Sequence, residues 1–473
     1  MSRTVGDFVI ERLGEWGVEI MFGYPGDGIN GVFAALQKAD CPIKFVQVRH
    51  EEMAAFMATA FAKFSSTLGV CISTGGPGAT HMITGLYDAR LDHQPVLAIT
   101  GGAARGVRGA HYQQEINIDR AFADAALYVQ EAMVPEAVPH VLDTAIRVAK
   151  AGHGVGAIVL PADLQLEHFA APPREHGFTR SGSGYAAPRL VPYPAELQRA
   201  ADLLNAGDRV AILIGAGSIC APAEVVAVAD ALGAGVAKAL LGKQALPDDL
   251  PFVTGTIGLL GTAPSSDMMD ACDTLLMVGT SFPWSEFLPK TGQARAVQID
   301  RDAASLGLRY PTEVNLHGNS AETLRALLPL LIRKTDRAWR ETIEKNVVAW
   351  WKVIDDRAHA KAIPVNPQRG VGNVAAARSR CDRHQRFGQL RQLVCARLPR
   401  EGGPVMLAVG RARFDGRSGA LCDRGQVRAS RSAGDRAGRR RRDADEQHGR
   451  ANHRSKILAR VGQPGVDLLC VQQ

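Results

Sequence analysis

The sequence predicts an α/β chain of two doubly wound parallel-sheet domains followed by a non-native, Arg-rich tail. Three observations carry that prediction. Short β-branched runs alternate with helical apolar patterns from Thr4 to about residue 165 and again from 194 to 335, as in parallel sheets covered on both faces. Gly-rich turns close several of those runs, at the strand ends where the chemistry of such sheets gathers. Charge use then breaks: residues 1–370 hold 33 Lys and Arg against 39 Asp and Glu, whereas residues 371–473 hold 22 against 9 with a single lysine, Lys456.

With 473 residues the chain is long enough for two or three domains with proper cores, and 46% of it is hydrophobic. No apolar run reaches the roughly 18 residues of a membrane span, and Met1-Ser2-Arg3-Thr4 carries no secretory pattern. A cytoplasmic protein without an integral membrane segment is expected. The eight cysteines, Cys41, Cys71, Cys220, Cys272, Cys381, Cys395, Cys422 and Cys470, have no CxxC or metal-ligand spacing. They read as free thiols in a reducing compartment.

The first domain is predicted over residues 1–170. Val5 to Trp16 has the period of an amphipathic helix, Glu19 to Phe22 of a short strand, and Gly23-Tyr24-Pro25-Gly26-Asp27-Gly28 is a turn. Asn30 to Ala39 returns as helix, and the run through Phe45, Val46 and Val48 stops at Arg49-His50. A helix begins at Glu51, with Met53, Phe56, Met57, Ala60 and Phe61 on its apolar face. Glu51 therefore stands at a strand-to-helix corner, where the helix N-terminus stabilises a carboxylate even without further function. Gly69 to Ser73 reads as strand, followed by Thr74-Gly75-Gly76-Pro77-Gly78-Ala79-Thr80 opening a helix, a turn whose backbone can approach a ligand. Val96 to Ile99 ends at Thr100-Gly101-Gly102, and the loop beyond carries His111-Tyr112-Gln113-Gln114-Glu115. Gly156 to Asp163 is the exit strand.

Gly23-Tyr24-Pro25-Gly26, Arg49-His50-Glu51, Thr74 to Thr80 and Gln114-Glu115, in that order and spacing, resemble the pyrimidine-binding domain of thiamine diphosphate enzymes, nearest to pyruvate oxidase and acetolactate synthase. With the middle domain the resemblance covers about residues 4–370. It implies that Glu51 is catalytic: a carboxylate on the pyrimidine N1′ favours the imino tautomer, whose exocyclic nitrogen removes the thiazolium C2 proton. Pro25, Gly26, Thr74 and Gly78 match positions that shape the pyrimidine site, and Gln114 matches a side chain directed to the substrate region. Glu52 points elsewhere on the helix and is expected to be structural.

A polar linker, residues 171–193, leads to a central α/β domain over 194–335 and a connector over 336–370. Val210 to Ile214 ends at Gly215-Ala216-Gly217-Ser218, a helix follows over Ala221 to Leu232, and further strands are Thr274 to Val278 and Ala296 to Ile299. The third glycine of the dinucleotide fingerprint is missing, so that pattern does not support a standard dinucleotide-binding domain. Ile257-Gly258-Leu259-Leu260-Gly261, Gly279-Thr280-Ser281-Phe282-Pro283 and Gln298-Ile299-Asp300 resemble FAD-contacting segments of bacterial pyruvate oxidases, with Asp300 suited to a ribose hydroxyl. The same fold without flavin, as in some decarboxylating relatives, is the alternative. Leu316 to Ile332, with Leu324, Leu327, Leu328 and Leu331, closes the domain as ordinary core, and Arg333 to Ala360 is a charged helix with Trp339, Trp350 and Trp351.

The family's third domain holds the diphosphate through Mg²⁺ on a Gly-Asp-Gly turn and a downstream Asn pair. Nothing in residues 371–473 matches it. Back-translation of Asp435 to Glu446, read one base forward, permits IALVGDGAMQMN; the same offset permits IVTSDS at Asp382 to Phe387 and FN at Val471-Gln472. A reading-frame shift between about Gly370 and Asp382 is inferred, with Arg-rich composition a by-product and disorder the expectation for the tail. A nucleic-acid-binding tail is the weaker alternative, lacking aromatic interleaving and helical spacing; no nucleic-acid partner is expected. The implied reaction is decarboxylation of a small 2-oxo acid, pyruvate foremost, oxidative with FAD or a ligation of acetolactate type without it. The implied assembly is a homodimer or homotetramer; a chain without its third domain is alternatively an inactive product.

Overall fold

The computed structural model describes residues 3–38, 41–364, 366 and 368–369, and the backbone of 387–388 and 408–409. The remaining expectations for 371–473, the frame shift and a disordered tail included, lie outside the described residues. Two six-stranded sheets, each all-parallel, carry the architecture of the described residues, beside a two-stranded antiparallel pairing of 387–388 with 408–409.

The first sheet is built by α1 (Val5–Glu15), β1 (Ile20–Gly23), α2 (Asn30–Leu36), β2 (Lys44–Gln47), α3 (Glu51–Ser65), β3 (Gly69–Ser73), α4 (Pro77–Leu91), β4 (Val96–Gly102), α5 (Ile118–Phe122), β5 (Tyr128–Glu131), α6 (Val138–Gly152) and β6 (Val155–Pro161). Its strand order is β2-β1-β3-β4-β6-β5. The inner strands β1, β3, β4 and β6 are buried throughout, whereas the edge strands β2 and β5 are partly exposed. Alternation sorts side chains between two cores. Ile72, Ile99 and Ile158 meet Phe8, Leu13, Leu142 and Ile146 of α1 and α6. Cys71, Ala98 and Ala157 meet Ala54, Ala58, Met82 and Leu86 of α3 and α4. Small strand residues on the second face let those helices lie close.

The second sheet is built by α7 (Pro194–Ala206), β7 (Val210–Ile214), α8 (Pro222–Ala231), β8 (Gly235–Lys238), β9 (Val253–Thr256), α9 (Ala263–Ala271), β10 (Thr274–Val278), β11 (Arg295–Asp300), β12 (Val314–His317) and α10 (Ser320–Leu327). Its order is β12-β11-β10-β7-β8-β9. Counted from β7, that is the 3-2-1-4-5-6 order of dinucleotide-binding sheets. The missing third glycine is thus a poor guide, because the order is set by which strands pair and not by one turn. The long helix α11 (Ala338–His359) packs along α9 and β9. Ile343 and Val347 join the second domain's core, and Trp339 Nε1–H donates to the Val210 carbonyl (3.0 Å). Among the described residues no helix is long and apolar enough to cross a membrane.

Several bounds differ from sequence expectation. The strand expected to end at Arg49-His50 ends at Gln47, and His50 instead caps α3. The strand expected over Val96 to Ile99 runs on through Gly102, since its glycines still pair with β6. The helical stripe after Leu316 is broken into β12, α10 and a 3-10 turn at Leu328–Leu330, because Pro329 cannot continue the helix.

Candidate functional site

In the first sheet β2 and β3 flank β1, so the chain leaves β1 in one direction and returns on its other side. The turns after β1 and β3 therefore border the crevice where open α/β sheets take ligands. The two turns touch: Gly28 N–H donates to Thr74 Oγ1 (3.2 Å), and a Cβ on Gly26 would stand 2.6 Å from Thr74 Cβ. Fully buried Gln165 fastens the first turn, accepting the Gly31 N–H (3.1 Å) and donating to the Gly28 and Leu160 carbonyls (both 2.9 Å).

Glu51 is the first residue of α3 and is 9% exposed. It is held there by α4. Gly85 of α4 meets Ala55 and Phe56 of α3 so closely that a Cβ would stand 2.6 Å from Ala55 Cβ. One turn back on each helix the same contact brings His81 to Glu51, with Nδ1 3.0 Å from Oε2. A Cβ on Gly78 would lie 2.8 Å from Thr74 Cγ2 and 3.4 Å from Glu51 Oε1. The cradle thus joins Gly26, Thr74 and Gly78 around one buried carboxylate. Gln114 reaches its edge from a distant loop with φ +63°, and Gly76, φ +58°, must be glycine because a Cβ would stand 2.6 Å from the Gln114 carbonyl. Pro25 and Gln114 are exposed at the rim.

His81 escaped sequence reading, although it lies three residues after Gly78 and so on the same helix face. Glu131 and Arg108 escaped it as well. They pair at 2.5 Å in a recess beside Gln114, and burial pushes the Glu131 carboxyl up against the lowering effect of Arg108. A carboxylate ending the short edge strand β5 was the available signal. Glu115 accepts the Gly109 and Tyr112 N–H groups, which hold its carboxyl below the usual range.

His50, Glu51 and His81 offer donor atoms within 4.8 Å of one another. The two imidazoles are stacked, with centroids 4.4 Å apart and planes at 29°. Lone pairs lie in the ring planes, which converge far beyond the roughly 2.1 Å of a metal–imidazole bond, so this arrangement does not aim both rings at one ion.

In the second sheet the turns after β7 and β10 interlock. Gly215 N–H donates to Val278 O and Gly217 N–H to Gly279 O (both 3.0 Å), and Gly279 takes φ +55°. Thr280 is buried, with Oγ1 accepting the Phe282 N–H, while Ser281 and Pro283 are exposed. Ile257 is buried; Gly258, φ +105°, presses on the Phe282 ring, and Leu259 and Leu260 are exposed beside it. Phe282 meets Trp284 edge-on at 5.5 Å. Asp300 ends β11 next to Gly279, accepts the Asp302 N–H (3.0 Å), and is pushed up by burial. The two groups of expected residues thus gather separately, one on each sheet.

Two family descriptions match the chain: "Thiamine pyrophosphate enzyme, N-terminal TPP binding domain" over residues 3–121 and "Thiamine pyrophosphate enzyme, central domain" over residues 197–327. The chain is 36% identical over 375 residues to a putative thiamine pyrophosphate-containing protein, YdaP, of Bacillus subtilis, a match covering 79% of this chain and 64% of that protein. It is 33% identical to a pyruvate oxidase of Lactiplantibacillus plantarum, covering 73% of this chain and 57% of that one. A probable acetolactate synthase large subunit of Methanocaldococcus jannaschii is 31% identical, covering 77% and 62%. The chain therefore spans less than two thirds of the length of these three relatives.

Proposed function

The chain belongs to the thiamine pyrophosphate enzyme family, and from that premise we propose that Glu51 is the hydrogen-bond partner of the pyrimidine ring of thiamine diphosphate, in a site completed by Pro25, Gly26, Thr74, Gly78 and Gln114. The observation that carries this reading is the buried Glu51 carboxylate facing a cradle lined by glycines, where an added Cβ at Gly78 would clash with Thr74 Cγ2 at 2.8 Å and touch Oε1 at 3.4 Å. When bound, the cofactor would supply a carbon acid which, once it has given up its proton, serves as a nucleophile toward a substrate oxo group, chemistry that side chains lack. Glu51 supplies the proton relation at the pyrimidine nitrogen, Gly26 and Gly78 allow close approach, and Gln114 orients a small 2-oxo acid, pyruvate foremost.

FAD in the second domain, taking electrons in a pyruvate oxidase-like reaction, is the fuller form of the proposal. Its support is the dinucleotide-type strand order and the apolar Leu259, Leu260, Phe282 and Trp284 around Gly258. An acetolactate synthase-type ligation is the second reading, supported by the likeness to the Methanocaldococcus protein. Mg²⁺ and the diphosphate would be held by a third domain, and we propose that a frame shift near residue 370 has replaced it. The chain as written would then bind the cofactor weakly and turn over little, in the cytoplasm and as a homodimer or homotetramer if complete.

Titration calorimetry with thiamine diphosphate and Mg²⁺ tests the site: Glu51→Gln is expected to weaken binding to the full chain at least about tenfold, the worth of one charge-assisted hydrogen bond. Equal affinities would overturn the assignment. In a chain whose reading frame is restored, flavin absorbance after FAD is added, bleached by pyruvate, separates the oxidase reading from the ligase reading.

A further inference from the structure

The two oxygens of Glu51 face different neighbours. Oε2 meets His81 Nδ1 at 3.0 Å, and Oε1 is the Glu51 oxygen turned to Gly78, 3.4 Å from where a Cβ there would stand. An ionised carboxylate only accepts, so neutral His81 must carry its proton on Nδ1. His50 is the reverse: its Nδ1 accepts the Glu52 N–H (3.3 Å) as the cap of α3, leaving the proton on Nε2. The two rings, stacked 4.4 Å apart, are therefore opposite tautomers.

We propose that His81 is a positioning residue for Glu51, engaging Oε2 so that Oε1 alone is presented to a planar, hydrogen-bonding heterocycle in the cradle. His50 holds the His81 ring by stacking, and its own orientation is set by capping α3. The chain of contacts runs from the helix cap through two rings to one oxygen. The inference rests on the proposed function for the identity of the heterocycle, an aminopyrimidine, but its geometry concerns this chain's own residues.

The test is ¹⁵N NMR of the histidines of the full chain near pH 8, with the His81 signals identified by their loss in His81→Phe. The expected wild-type spectrum shows His81 protonated on Nδ1, reverting to the Nε2–H form common in water when Glu51→Ala removes the acceptor. Thiamine diphosphate affinity is read in parallel. His81→Phe keeps a stacking ring but loses the donor and is expected to weaken binding about tenfold; His81→Asn, whose amide N–H stands in for Nδ1–H, is expected to restore most of it. An Nε2–H tautomer in the wild type, or a spectrum indifferent to Glu51→Ala, overturns the pairing. If Glu51→Gln weakens binding and His81→Phe does not, the proposed function stands and the positioning role falls. If neither variant changes affinity, both fall.

Discussion

Gln165 lies 134 residues from Gly31, yet its amide is fully engaged: the oxygen accepts from Gly31 and Val32, and the nitrogen donates to Gly28 and Leu160. Leucine in its place would strand two backbone donors and two carbonyls in a buried site. Gln165→Leu is expected to cost about 3 kcal/mol in urea unfolding and to weaken thiamine diphosphate binding by loosening the first turn. An unchanged midpoint would show that water takes over those groups. Burial acts differently on the cysteines. Cys71 and Cys272, both pushed up to about 12 with burial as the main cause, present no thiolate near neutrality. Peptide mapping after maleimide treatment of the native chain at pH 8 is expected to leave both unmodified until urea is added.

At the scale of elements, helices approach strands through glycines. A Cβ on Gly156 of β6 would stand well inside contact distance of the Ala145 carbonyl of α6. Gly156→Ala is therefore expected to cost about 3 kcal/mol or more, because backbone must move and not a side chain. A thermal melt within a degree of wild type would contradict this. His153, the C-cap of α6, is lowered to about 4 by burial first, then by the Arg301 charge at the end of β11 and by His93. Its ordinary value is 6.5. As pH falls the unfolded chain takes up this proton first, so stability is full above about 6.5 and is lost progressively from there down to about 4. Urea midpoints are expected to fall over that window, and less steeply in His153→Gln.

At the scale of the whole molecule, the four apolar clusters formed among the described residues run from Val5 to Trp351. Both sheets are closed within that span, so a chain ending at Arg369 is expected to keep its cooperative unfolding. Loss of the transition would mean that residues beyond 369 support the fold. The change in charge use falls just after that point, which makes the coding DNA across codons 365 to 385 the place to look for a displaced base. The proposed shift is supported if restoring one base there returns a Gly-Asp-Gly turn to the chain; an intact frame would overturn it and leave the basic tail as the protein's own.

Much of the fold was legible because it is written locally. Gly69 to Ser73, Val210 to Ile214 and Thr274 to Val278 are strands to the residue, each a β-branched or apolar run bounded by glycine or a turn. Glu51 at a helix start followed from the switch of period beside it, and the spacing of its companion motifs carried the family resemblance. The order of the strands was not legible, since which runs pair is decided by contacts between distant segments. Neither was His81, 30 residues from Glu51. The sequence settled the elements, the glycine turns and the carboxylate at the corner, all short-range matters of period and dihedral. The tertiary structure alone decided that Gly85 lets α4 onto α3, and so which oxygen of Glu51 faces a histidine and which faces the cradle, because close packing across the chain sets those directions.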